Sequence, residues 1–174
     1  MQRKNDRDNP IIIDQFRAGS LRVEDWLKDI FDNGTDRFHV IIPSRCVFSS
    51  SHILAAVMKA SRAFQRKENK ARDRSIEVMR WLSGSRQVST ALEILKIKPP
   101  ENIFIISIPG DMTGDEPWIE QERIQVSTNL GLDRPEGDLV WGGNDVRSVY
   151  SSLKDIVDEE LELAVLEMVA LTEL

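Results

Sequence analysis

Residues 74–108 read RSIEVMRWLSGSRQVSTALEILKIKPPENIFIISI, and this stretch decides the fold. A helical pattern, a Gly-Ser turn, a second helical pattern, a Pro-Pro stop and a strand follow one another with almost nothing between them. Arg74 to Leu82 presents Ile76, Met79 and Leu82 on one helical face. Gly84 suits a left-handed cap at the end of that helix, and Ser85 suits the N-cap of the next. The second helix then starts at Arg86, buries Val88, Ala91, Leu92 and Leu95, and stops at Pro99-Pro100. Ile103 to Ile108 is a nearly continuous β-branched and aromatic run, the pattern of a strand buried on both faces.

Working outward, the same two patterns alternate. Ile11 to Ile13 reads as a short strand ended by Asp14, Leu21 to Phe31 as an amphipathic helix, Phe38 to Ile42 as a strand, and Cys46 to Phe48 as another short one. Ser49 to Ser51 offers caps for a helix over His52 to Lys67 whose inner face is Ile53, Val57, Ala60 and Phe64. Pro117 to Asn129 is helical in pattern and Leu139 to Trp141 strand-like. Asn144 is placed to cap a short helix carrying Val146, Val149 and Tyr150. The last helix repeats Val157, Leu161, Ala164, Met168 and Leu171 at alternating fours and threes, leaving Leu163 and Leu166 as a second stripe for a partner. With no internal repeat or linker, these elements predict one α/β (α+β) domain from residue 10 to 174, a small mixed or antiparallel sheet packed with several helices, after a disordered extension over residues 1–9.

The composition bounds the function classes. The chain has 174 residues, 41% hydrophobic and 30% charged, and no apolar run approaches the roughly 20 residues of a membrane span. A single cysteine, Cys46, permits no internal disulfide and suits a reducing cytoplasm. His39 and His52 are too isolated for a zinc spacing, so no metal or cofactor is expected. There is no phosphate-binding Gly-rich loop, no Gly-x-Ser-x-Gly elbow and no His-Glu-x-x-His. Asp111, Asp115 and Glu116 follow a strand end and could serve a small hydrolase, though such residues beside Gly and Pro commonly only form turns. The inventory points away from an enzyme.

Charge distribution says more than net charge. Lys59 to Arg86 holds nine basic and three acidic residues, a balance of +6, while the rest of the chain carries −12. The acids gather late, at Asp155, Asp158, Glu159, Glu160, Glu162 and Glu167. Two surfaces of opposite sign suit two partners, one of them polyanionic. Within the basic segment, Ser83, Gly84, Arg86 and Gln87, with Lys59 and Arg62 on the preceding helix, form a candidate anion site at a helix start. The same residues also describe an ordinary helix corner whose arginine reaches solvent.

Three stretches in order resemble a known family: Ser50-Ser-His-Ile-Leu-Ala-Ala56, Glu77-Val-Met-Arg-Trp-Leu-Ser-Gly-Ser-Arg-Gln-Val88, and Ala91 to Ile97 running into the Ile103 strand. With Asp145-Val-Arg-Ser-Val-Tyr150 and Val165 to Leu174, the chain is similar to the TPRKB-like (Cgi-type) subunit of the KEOPS complex, particularly its archaeal form. The resemblance spans about residues 41–174 and is firmest from Ser50 to Ile108. It implies a non-catalytic subunit of a complex that installs threonylcarbamoyl on adenosine 37 of tRNA. Such a subunit binds and activates a kinase-like ATPase and holds the single-stranded 3′ CCA end of tRNA. The basic segment suits RNA phosphate, and Arg86 could also stack on a base.

Overall fold

The computed structural model describes residues 11–19, 37–109 and 137–173. In these, strands β1 (Ile12–Ala18), β2 (Arg37–Pro43) and β3 (Glu101–Pro109) form one antiparallel sheet in the order β1-β3-β2. The helices are α1 (Ser50–Arg66), α2 (Arg74–Leu82), α3 (Val88–Ile94), α4 (Val146–Val149) and α5 (Leu161–Ala170). This is the single-domain α+β architecture expected. The predicted helices over residues 21–31 and 117–129, the N-terminal extension and the acidic residues Asp111, Asp115 and Glu116 lie outside the described residues.

The Ile103–Ile108 run is central because it can be buried on both sides. Its residues are all buried and divide by alternation. Phe104, Ile106 and Ile108 join Val40 and Ile42 under the helices, while Ile103 and Ile105 join Phe16, Ala18 and Ile41 on the other face. On that second face His39 sits opposite Ser107, with Nδ1 2.9 Å from its Oγ, both buried. On the helical face, α1 packs on α2 and α5, and α2 on α3 and β2. Ser49 caps α1 by accepting the His52 N–H. Lys67, left-handed at φ 59°, ends it, with the Glu68 N–H bonding the Ala63 carbonyl.

Six local expectations give way to tertiary context. β1 does not end at Asp14 but runs to Ala18, because residues 15–18 pair in register with residues 101–104 of β3, and Gln15 adds a bond of its own. Its side-chain amide donates to the Val140 carbonyl (2.7 Å) and accepts the Val140 N–H (2.9 Å). That bridge stands where a 139–141 strand was expected; these residues join no ladder among the described residues, and Trp141 tilts against Phe104 at 4.9 Å. Ser44–Cys46 forms a 3-10 turn rather than opening a strand; the Cys46 carbonyl accepts from Tyr150 Oη and the Val47 carbonyl from Gly142 N–H. Gly142 is required there, since a Cβ would stand 2.6 Å from the Arg45 carbonyl oxygen. Asn144 lies within a 3-10 turn, and Asp145 takes the cap position of α4 without a side-chain bond.

The other two concern α3 and α5. α3 begins at Val88 with Gln87 as N-cap and ends at Ile94, ahead of the prolines, leaving Leu92 41% exposed. The buried line of α5 is Leu161, Val165 and Val169, not the predicted seam; Val157 and Leu171 are exposed and Ala164 and Met168 half-buried.

Candidate functional site

The corner between α2 and α3 is held together from below. Asp73 caps α2, accepting the N–H groups of Ser75 (2.7 Å) and Ile76 (3.2 Å). The helix is turned so that Ser75, Glu77, Val78, Arg80, Trp81 and Leu82 are buried, whereas Ile76 and Met79 are only half-buried. Glu77 and Arg80, both fully buried, pair as a fork: Nη2 lies 2.6 Å from Oε1 and Nε 3.3 Å from Oε2. Glu77 also accepts Trp81 Nε1–H (3.1 Å) and the backbone N–H groups of Lys70 (3.1 Å) and Ala71 (2.8 Å). The pair thus anchors the basic loop as well as the helix.

Burial opposes the charge on both groups, but the bonds outweigh it. The Arg80 guanidinium and the two loop N–H groups hold the Glu77 carboxyl below its ordinary range, and Glu77 and Glu173 raise Arg80 further. The second nitrogen of the guanidinium, Nη1, reaches Glu173 Oε1 at 2.6 Å and the Ser85 carbonyl at 3.4 Å. Arg80 also stacks on Trp81, its carbon 4.9 Å from the ring centroid, and Lys59 Nζ approaches a Trp81 ring at 5.7 Å.

Above this pair lies the Ser83–Gln87 turn. Gly84 has φ +65° and donates its N–H to the Trp81 carbonyl, while Ser85 N–H bonds the Arg80 carbonyl. These two bonds form the left-handed C-terminal motif that the sequence called for. Ser85 does not cap α3; its hydroxyl accepts the Gln87 N–H (3.2 Å) and donates to the Gln87 carbonyl (3.0 Å), bracing the turn. Arg86 is accordingly not helical but exposed in the loop, free of the unfavourable helix-start position.

The six predicted contact residues therefore separate. Arg86, Gln87 and Arg62 are exposed, and Lys59 is half-buried on the same helix as Arg62, near Trp81. Ser83 is buried and spends its hydroxyl on the Arg80 carbonyl (2.9 Å). Gly84 is packed under the last helix, where a Cβ would meet Met168 Cγ at 2.5 Å. With the buried Glu77–Arg80 pair set aside, the 59–86 segment still has eight basic residues against two acidic ones, and seven of those eight cations are exposed. Sequence reasoning missed the buried pair, although an acid and a base three apart beside a tryptophan inside an apolar pattern is a visible signal.

On α5, Leu163 is 69% exposed and Leu166 half-buried, one turn apart on the outward side. Acidic residues flank them: Glu162 and Glu167 are exposed, and Asp158 pairs with Arg147 at 2.5 Å.

The remaining reactive groups are buried and internally engaged. Burial pushes the Cys46 thiol up to about 12 despite Arg45 beside it. Burial likewise lowers His52 to about 4, neutral with Nδ1 facing Phe48 N–H and Nε2 facing the Leu82 carbonyl (2.9 Å). Among the described residues no three His, Cys, Asp or Glu side chains gather to hold a metal, and no helix is long and apolar enough to cross a membrane.

Residues 23–173 match the family model described as Kinase binding protein CGI-121. No curated protein matches the chain.

Proposed function

The chain belongs to the CGI-121 family of kinase binding proteins, and from that premise we propose that it is a non-catalytic, cytoplasmic KEOPS subunit of the archaeal type. In this reading it binds and activates the complex's kinase-like ATPase and holds the 3′ CCA end of tRNA for modification of adenosine 37. The kinase half of the reading rests on the family. The partner surface we assign is the outward face of α5, with Leu163 and Leu166 as apolar contacts and the neighbouring acids steering a basic lobe.

The RNA half rests on one observation: outside the buried pair, seven of the eight cations in the 59–86 segment are exposed, and one of them, Arg86, stands on a turn whose shape is fixed by internal bonds. Arg86 and Gln87 supply the base and phosphate contacts, and Lys59 and Arg62 extend the track along α1. Ser83 and Gly84 support the turn's shape rather than touching RNA, given where their atoms are spent. Neutralised phosphates release counterions, so binding weakens steeply with salt.

Titration of the isolated chain with intact tRNA tests this across salt concentrations. Arg86→Glu is expected to weaken binding about tenfold or more and leave the fold and kinase binding intact, as expected when a reversed charge faces phosphate. Equal affinity for tRNA lacking its 3′ CCA would remove the terminal-base element. A second reading, an interaction module without RNA affinity of its own, is favoured by the internal use of Ser83 and Gly84; absence of measurable binding by the isolated chain would establish it.

A further inference from the structure

We propose that Arg80 Nη1 is a phosphate subsite for single-stranded RNA beneath the Ser83–Gln87 turn, and that the Glu173 carboxylate occupies it as an internal stand-in. The inference rests on the RNA reading above and names a subsite of that same corner.

Arg80 faces two carboxylates of unequal standing. Glu77 is saturated: its two oxygens receive bonds from Lys70 N–H, Ala71 N–H, Trp81 Nε1 and two guanidinium nitrogens, and its side chain is fully buried. It already neutralises Arg80 by a two-point fork, the strongest geometry available to the pair. Glu173 arrives from beyond the end of α5, touches only Nη1 of that guanidinium, and is 37% exposed. Removing Glu77 would take the two-point fork from a fully buried cation, which is costly, whereas Glu173 can leave with that fork intact.

The exchange is balanced in charge. One cation between two carboxylates carries −1, and a phosphodiester oxygen replacing the Glu173 carboxylate restores the same −1 with the same acceptor chemistry. The seat is at the proposed site and not elsewhere, since Nη1 also bonds the Ser85 carbonyl at 3.4 Å, one residue before the exposed Arg86. The last helix is brought over the turn by the contact of Gly84 with Met168, which is what lets the residues following α5 reach in. Glu173 therefore competes with RNA for the deepest cation of the corner.

The test is tRNA binding by full-length variants, measured from low to moderate salt. Glu173→Gln is expected to tighten binding about two- to fivefold, the worth of a part-exposed ion pair. It should also steepen the logarithmic salt slope by about 0.7, one more phosphate on a single strand. Glu173→Ala, which leaves no amide to cover Arg80, should do the same. Glu159→Gln, an exposed acid away from the corner, removes the same charge and should change the slope by nothing. If both Glu173 variants bind equally or more weakly while Arg86→Glu still impairs the wild-type chain, Glu173 is only a clamp and the subsite is wrong, with the RNA reading intact. If no variant binds tRNA, the RNA reading falls and the subsite falls with it.

Discussion

The α2 corner and the last helix touch at Gly84 and Met168, yet they are held in shape by opposite means. The corner is organised by directional bonds: a buried carboxylate and guanidinium, five donors on Glu77, and a turn closed by two backbone bonds. α5 is organised by packing, with Leu161, Val165 and Val169 sunk in the core and Leu163 left 69% exposed. Directional bonds fix positions to fractions of an ångström, which suits presenting cations to a polyanion. Apolar packing fixes a face without fixing each contact, which suits a protein partner that supplies its own shape. The two surfaces should therefore fail in different ways.

The largest expected failure is Arg80→Met, which leaves the Glu77 charge buried and unpaired. Such single removals cost about 3–5 kcal/mol, and urea unfolding should show it. Glu77→Leu with Arg80→Met together should recover more than half, since no charge is then stranded. A single-variant loss under about 1 kcal/mol would mean the pair does not organise the corner.

Acid should then loosen the seam between the corner and the core. His52 donates from Nε2 to the Leu82 carbonyl at the end of α2 and meets the Tyr150 ring edge-on at 6.2 Å. Burial lowers its pKa from 6.5 to about 4. The folded state thus favours the neutral ring, so the stability it contributes is full above pH 6.5 and is lost as pH falls toward 4, by about 3 kcal/mol in total. Comparing unfolding of the wild type and His52→Gln across that window isolates the effect; parallel curves would refute it.

Gly84→Ala probes the contact itself. A left-handed alanine costs about 1–2 kcal/mol, and the new methyl must displace Met168. A loss of about 2 kcal/mol in thermal or chemical unfolding is expected, with the methyl's share, but not the backbone's, returned by Met168→Ala.

These two regions were also unequally legible in the sequence. The corner's outline was plain: α2 has the bounds read from its pattern, and Gly84 takes the left-handed cap that only its lack of a Cβ makes easy. The β3 run was legible because alternation cannot hide a strand buried on both faces. What did not show was the rotation of α2, because periodicity ranks Ile76 and Met79 above a glutamate and an arginine. The burial of Arg80 depends on Glu77 being held in turn by the N–H groups of Lys70 and Ala71, outside the helix, and such partners leave no mark in the periodicity. The Gln15 bridge escaped for the same reason, since a side-chain amide 125 residues from Val140 leaves no local trace. On α5 the buried line slipped because every position from Leu161 to Ala170 except Glu162 and Glu167 is apolar, so the pattern fits more than one face.

The smallest effect on stability belongs to the surface with the largest expected effect on binding. Leu163→Glu alters an exposed side chain and should change unfolding free energy by no more than about 0.5 kcal/mol, while weakening the kinase-like partner about tenfold or more if Leu163 is a central contact. Charge and area can be separated at this one position. If the partner covers apolar surface, Leu163→Glu and Leu163→Lys weaken binding alike and with little salt dependence. If the acids around Leu163 steer a basic lobe, Leu163→Lys weakens it more, chiefly through a slower on-rate that salt erases. Neither variant should alter the proposed tRNA affinity, because α5 meets the corner through Met168 and not through its outward face. A Leu163 variant that weakened tRNA binding as strongly as partner binding would show that the two surfaces are one, and the contrast between bonded corner and packed helix would no longer map onto two partners.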